Sequence, residues 1–154
     1  MQSPPATIDL KAITDRQKQN EKVVFTNGCF DILHVGHLRY LQLAKDLGDL
    51  LVVGLNSDNS VKRLKGEKRP IVCESERCEM LLGLKPVDYV LLFEEDTPIE
   101  LIRSIRPQCL VKGGDWPIEK IVGYELVKSY GGKVLSLPFV EGKSSSNIIS
   151  KMSE

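Results

Sequence analysis

Five short runs rich in valine, leucine and isoleucine recur along the chain, separated by amphipathic stretches: "KVVFTN" (22–27), "DLLVVGLN" (49–56), "VDYVLLF" (87–93), "QCLVKGG" (108–114) and "GKVLSLPF" (132–139). Runs of this kind suit strands covered on both faces, the condition of a parallel sheet. Helical candidates lie between and after them, at 35–47, 74–83, 97–106, 118–130 and 145–152. Thr97-Pro98 reads as an N-cap followed by a first-turn proline, and Gly48 and Gly131-Gly132 stand where helices stop. Strand and helix alternate over short connections, so crossovers should be right-handed, with helices on both faces. The expectation is an α/β fold: a Rossmann-like open five-stranded parallel sheet in the order 3-2-1-4-5. Residues 1–20 read as an N-terminal extension or short helix, and 21–154 as a single domain, within the size one core can support.

In that strand order the chain leaves strand 1 toward one side and starts strand 4 on the other. A crevice opens at their carboxyl ends, where ligands bind in such sheets. Three loops should converge there: "TNGCFDILHVGH" after strand 1, "KGGDW" after strand 4 and "EGKSSSN" after strand 5.

Bulk properties exclude several classes. Lys plus Arg and Asp plus Glu are 21 each, so the chain lacks the overall positive field that draws proteins onto nucleic acid or anionic membrane. The four cysteines form no CxxC pair and there are two histidines, which argues against a structural zinc site. No apolar run has signal-peptide or membrane-spanning length, and unpaired cysteines suit a reducing compartment, so the expectation is a soluble cytoplasmic protein.

Both histidines, His34 and His37, fall in one crevice loop, where the next helix begins. Spacing i, i+3 puts both rings on one helical face, beside unpaired N–H groups that favour phosphate. Gly36 between them lets a base or phosphate approach the backbone. The loop is neither GxGxxG nor a P-loop. Asp31 is either a turn residue bonding loop amides or a substrate contact. In "KSSSN", Ser144, Ser145 and Ser146 can cap the last helix or grip phosphates. Lys112 ends strand 4 facing the crevice, with Gly113 and Gly114 after it. Trp116 stacks on a base or simply packs, and Asp115 orients a sugar hydroxyl or caps a turn. "VKRLKGEKRP" gathers Lys62, Arg63, Lys65, Lys68 and Arg69; about half belong to a solvated face, and one or two suit a substrate phosphate. Arg77, with Glu74, Glu76 and Glu79 near it, is ion-paired or catalytic.

Gly28 through His37 resembles the HxGH signature of the nucleotidylyltransferase superfamily, and "KSSSNII" is similar to its late serine/threonine motif. Together with "VGLNSD", "KRLKGEKRP", "FEEDTP" and "LVKGGDW", the stretch from about 20 to 152 resembles the heptose 1-phosphate adenylyltransferase family. "SSSN" stands where "STTN" is common, a change that keeps the hydroxyls. The resemblance implies transfer of AMP from ATP to D-glycero-D-manno-heptose 1-phosphate, giving ADP-heptose for surface glycans such as lipopolysaccharide. It implies catalytic His34, His37 and Lys112. Thr26, Asn27, Gly28, Cys29, Phe30, Gly36, Gly113 and Ser144 to Ser146 would hold ATP. Asp31, Asn56, Asp58, Lys62, Arg63, Lys65, Arg69, Asp115 and Trp116 would serve the sugar phosphate. Mg²⁺ would arrive on the triphosphate, with no dedicated metal ligand. A homodimer or higher homo-oligomer is expected. Because many relatives carry a sugar kinase for which residues 1–20 are too few, a separate heptose kinase is expected too.

The implied reaction needs no protein nucleophile, so Cys29 is not cast as one. Two rivals remain at this level: a cytidylyltransferase acting on a phosphorylated alcohol such as glycerol 3-phosphate, and a non-catalytic nucleotide-binding module.

Overall fold

The computed structural model describes residues 6–138 and 145–153. Its elements run α1 (Ala6–Lys18), β1 (Val23–Gly28), α2 (Val35–Lys45), β2 (Leu50–Asn56), α3 (Asp58–Lys65), α4 (Glu74–Leu82), β3 (Tyr89–Phe93), α5 (Ile99–Ile105), β4 (Cys109–Gly113), a 3-10 turn (Ile118–Lys120), α6 (Tyr124–Ser129), β5 (Lys133–Leu137) and α7 (Ser145–Met152). The five strands form one parallel sheet in the expected order, β3-β2-β1-β4-β5.

Side chains alternate across the sheet and so build two cores. Val24, Leu51, Val53, Leu55, Val90 and Val111 pack with Tyr40, Leu41 and Ala44 of α2 and Leu81 of α4. Val23, Phe25, Leu50, Val52, Leu91, Leu110 and Val134 point the other way, onto Ile102 and Ile105 of α5 and Val127 of α6. Ile13 of α1 is fully buried in this second core, so α1 shares it with the sheet. Every residue of β2 is buried, which fits a central strand. At the amino end of the sheet, Gln17 Nε2 donates to the carbonyls of Ile105 and Arg106 and to Gln108 Oε1, which also accepts from the Val23 amide.

Three local expectations change. The charge run "VKRLKGEKRP" (61–70) begins inside a helix, α3, capped by the Ser57 hydroxyl, which accepts from the Ser60 amide. The helix expected over 118–130 breaks in two: Ile121 turns extended after the 3-10 turn, and Gly123, at φ 97° in the left-handed region, starts α6. α5 begins at Ile99 with Pro98, not Thr97, in the capping position and no side-chain cap.

Candidate active site

The carboxyl ends of β1 and β4 face a cavity of about 610 Å³ at the point where the strand order reverses. Its walls come from the β1–α2 loop, the ends of β2 and β4, α3, the loop after β3, the turn before α6, and α7.

The two histidines owe their placement to helix capping. His34 is the N-cap of α2, in extended conformation, and its Nδ1 accepts from the Gly36 amide at 3.1 Å. His37, three residues on, accepts the His34 amide at its own Nδ1 at 3.2 Å. This is a reciprocal capping box built from imidazoles in place of the usual serine and glutamate. An Nδ1 that accepts from a backbone N–H carries no proton in the neutral ring, so this bonding assigns the hydrogen of each imidazole to Nε2. The ring centroids lie 4.0 Å apart. Burial, with a smaller contribution from neighbouring His34, lowers the His37 pKa to about 4, so His37 is a neutral donor at pH 7.

The turn leading into the helix is tight. Phe30 is buried with φ 46°, a region few non-glycine residues enter. Its ring lies 5.3 Å from that of His37 and packs so closely over Gly28 that a Cβ there would stand 2.9 Å from the ring. Below the cavity, the Thr26 and Tyr40 hydroxyls share a hydrogen bond of 2.6 Å. Burial raises the Tyr40 pKa to about 12 and pushes the Cys29 thiol up, which leaves Cys29 protonated and a poor nucleophile. Burial is the main cause that lowers the Lys112 pKa; Lys65 adds to the lowering and Cys29 opposes it.

Of the residues singled out from sequence, Asn27, Gly28, Cys29, Phe30, Asp31, His34, Gly36, His37, Asn56, Lys65, Arg69, Lys112, Gly113 and Ser146 line the cavity. Ser144 lies outside the described residues; Ser145 opens α7. Thr26, Asp58, Lys62, Arg63, Asp115 and Trp116 are not on the wall. Several of these have other work. Thr26 bonds Tyr40, Asp58 pairs with Arg77 at 2.8 Å, and Arg63 pairs with Asp96 at 2.8 Å and donates to the Glu94 carbonyl. Lys62 and Asp115 are exposed, and the half-exposed Trp116 offers its ring to the Lys112 ammonium at 5.7 Å. Asp31 and Asn56 touch the cavity but spend polar atoms on the protein: Asp31 accepts from the Ile71 and Val72 amides and from Arg69 Nε, and Asn56 donates to Ser60. Arg77 pairs with Asp58 and donates to the carbonyls of Cys29, Asn56 and Val72, away from the wall.

The sequence reading missed Tyr40, Leu64, Asp96, Thr97, Pro98, Ile121 and Val122 as lining residues. Tyr40 had a usable signal, since it stands at i+3 from His37 on the same helical face. The Asp96–Pro98 segment follows β3, two strands away from the crevice, and no local pattern announces that it reaches back.

Comparison with known proteins agrees with this geometry. Residues 25–151 match the cytidylyltransferase-like family. The chain is 58% identical over 142 residues to the bifunctional protein HldE of Trichlorobacter lovleyi, covering 92% of this chain and 29% of that protein. It is 56% identical over 140 residues to the HldE of Geobacter sulfurreducens, covering 91% and 29%. The chain therefore spans less than a third of the length of these curated relatives. Among solved structures, the lipopolysaccharide core biosynthesis protein of Thermoplasma volcanium superposes with a TM-score of 0.63 at 32% identity, over 80% of this chain and 99% of that one. The pantothenate synthetase of Thermus thermophilus, at 19% identity and TM-score 0.56 over 88% of this chain and 65% of that one, shares the fold.

Proposed function

Because this chain belongs to the cytidylyltransferase-like family, we propose that it transfers AMP from ATP to D-glycero-D-manno-heptose 1-phosphate, releasing pyrophosphate and yielding ADP-heptose. The observation that carries the reading is the pair of capping imidazoles, each with Nε2–H as its donor, at a cavity shared with Lys112 and Lys65. The resemblance to heptose 1-phosphate adenylyltransferases chooses the acceptor and the base.

An oxygen of the sugar phosphate attacks the α-phosphorus in line. The new O–P bond forms as the bond from the α-phosphorus to the bridging oxygen breaks, and pyrophosphate leaves with that electron pair. Both reactants are anionic, so positioning and charge stabilisation supply the catalysis. His34 and His37 donate from Nε2 to the α- and β-phosphate oxygens as charge builds there. A neutral donor suits this role, since it loses no proton to the ligand. Lys112, Gly113 and Ser146 of α7 hold the triphosphate. Lys65 and Arg69 meet the sugar phosphate, with Asn27 to Phe30 lining the passage between. Among the described residues no group of three or more His, Cys, Asp or Glu side chains stands together to bind a metal. Mg²⁺ would arrive bound to the triphosphate.

The reading carries further proposals: residues 21–154 act as one catalytic domain, the protein works in the cytoplasm as a homodimer or larger homo-oligomer, and a heptose kinase supplies its acceptor. No helix among the described residues is long and apolar enough to cross a membrane.

The test incubates the protein with Mg²⁺, ATP or CTP, and a panel of sugar 1-phosphates, 7-phosphates and glycerol 3-phosphate, and identifies products by mass. ADP-heptose with stoichiometric pyrophosphate is expected. A CDP-alcohol as the main product, or no transfer to any acceptor, overturns the reading.

A further inference from the structure

Arg77 of α4 is 1% exposed and does not line the cavity. A buried guanidinium is tolerated only when its donors are satisfied, and here they reach three separate chain segments. Nε donates to the Val72 carbonyl at 2.9 Å, Nη1 to the carbonyls of Cys29 at 2.7 Å and Asn56 at 2.8 Å, and Nη2 to Asp58 Oδ1 at 2.8 Å. Asp31 makes the reciprocal set. Its side chain is fully buried, and it accepts from the Ile71 and Val72 amides, each at 2.9 Å, and from Arg69 Nε at 2.7 Å. Val72 is thus gripped by its amide from one side and its carbonyl from the other.

The segments tied together are the ones that present Cys29, Phe30 and Arg69 to the cavity. A residue that merely neutralised Asp58 would need one of these bonds. One that merely filled space would need none. We infer that Arg77 is a positioning residue: with Asp31 it locks the Cys29–Phe30 turn to the 69–72 segment, so that Arg69 faces the acceptor phosphate before that phosphate arrives. This rests on the adenylyl-transfer reading for the identity of the acceptor, though not for the existence of the lock. Lysine cannot replace the fork, because one ammonium cannot serve four acceptors lying in different directions.

The experiment uses Arg77→Lys and Asp31→Asn in the full chain, with steady-state KM for ATP and for heptose 1-phosphate, and amide hydrogen exchange over 29–31 and 69–73 compared with β4. Arg77→Lys is expected to raise the acceptor KM on the order of tenfold or more, leave the KM for ATP in place, and speed exchange in the two tied segments alone. An unchanged acceptor KM in an active enzyme, or exchange accelerated evenly across the sheet, overturns the inference. Should Arg77→Lys fail to fold, Asp31→Asn decides by the same two readings. Should the unmodified protein transfer nothing to the heptose, the adenylyl-transfer reading falls while the exchange pattern still decides for or against the lock.

Discussion

The two walls of the cavity are built differently. On the β1–β2 side the loops are cross-braced: Arg77 and Asp31 tie the β1–α2 turn to residues 69–72, and Arg63 ties α3 to Asp96 after β3. On the β4 side the Lys112 ammonium lies 5.7 Å from the Trp116 ring, and burial lowers its pKa. One wall has its geometry set in advance by hydrogen bonds. The other holds charge that is destabilised until an anion arrives. Catalysis by positioning needs the first, while capture of a polyphosphate uses the second.

The capping histidines stand where the walls meet, and their removal should have the largest effect. His37→Ala is expected to lower kcat on the order of 10²–10³, followed by pyrophosphate release, with an intact circular dichroism spectrum. The substitution also removes the acceptor of the His34 amide, so a loss of about 1 kcal/mol in stability should accompany it. Near-normal turnover would break the division into walls, because nothing would then join them.

Next comes pH. Burial, then the neighbouring His34, holds His37 at about 4 in the folded protein, below the ordinary value of about 6.5. Between those values the unfolded chain binds the extra proton, so stability rises with pH across that window and is lost as pH falls through it. The loss is roughly 3 kcal/mol at the extreme. Asp31 adds to it only at lower pH. Burial works to raise its pKa, but the Val72 and Ile71 amides and Arg69 hold it below the usual carboxylate value, and that contribution disappears as the carboxylate protonates. Thermal melts from pH 7 to pH 4 check this, and His37→Gln should flatten the upper part of the curve.

Legibility from sequence follows the same division. The sheet order and the crevice were readable because valine-rich runs and helix stops repeat along the chain. The histidine loop was readable because a capping box is a local pattern, even with unusual members. The braced wall was not. Asp31 meets Arg69, Ile71 and Val72 across 38 to 41 residues, and Arg77 meets Cys29 across 48. Bonds of that span leave no periodicity behind. α3 was hidden for another reason: "DNSVKRLK" offers only Val61 and Leu64 as apolar residues, too few to mark a helical face.

Gly28→Ala probes the braced side from within. The added Cβ would stand 2.9 Å from the buried Phe30 ring, whose neighbour is His37. Destabilisation of about 1–3 kcal/mol is expected, measured by urea titration. Because the ring has to shift against His37, kcat should fall even at temperatures where the variant stays folded. A fall in stability with kcat untouched would mean that the turn and the histidine are mechanically separate.

The mildest and most discriminating change is on the open wall. Lys112→Met keeps the apolar stem and removes the charge whose pKa burial and Lys65 already lower. A lysine in that state gains from a bound anion, so ATP binding should restore part of the lost basicity and draw affinity from it. The expected outcome is a KM for ATP raised about tenfold, equivalent to about 1.4 kcal/mol, with the acceptor KM unchanged and a weaker dependence of ATP binding on salt. Among the described residues no hydrogen bond or ion pair holds the Lys112 ammonium, which lies 5.7 Å from the Trp116 ring, so its loss strands no hydrogen-bond partner there, and the thermal midpoint should hold or rise slightly as a half-buried charge is removed. An effect on the acceptor KM equal to that on ATP would mean that a single phosphate subsite serves both substrates, and the two walls would then be one.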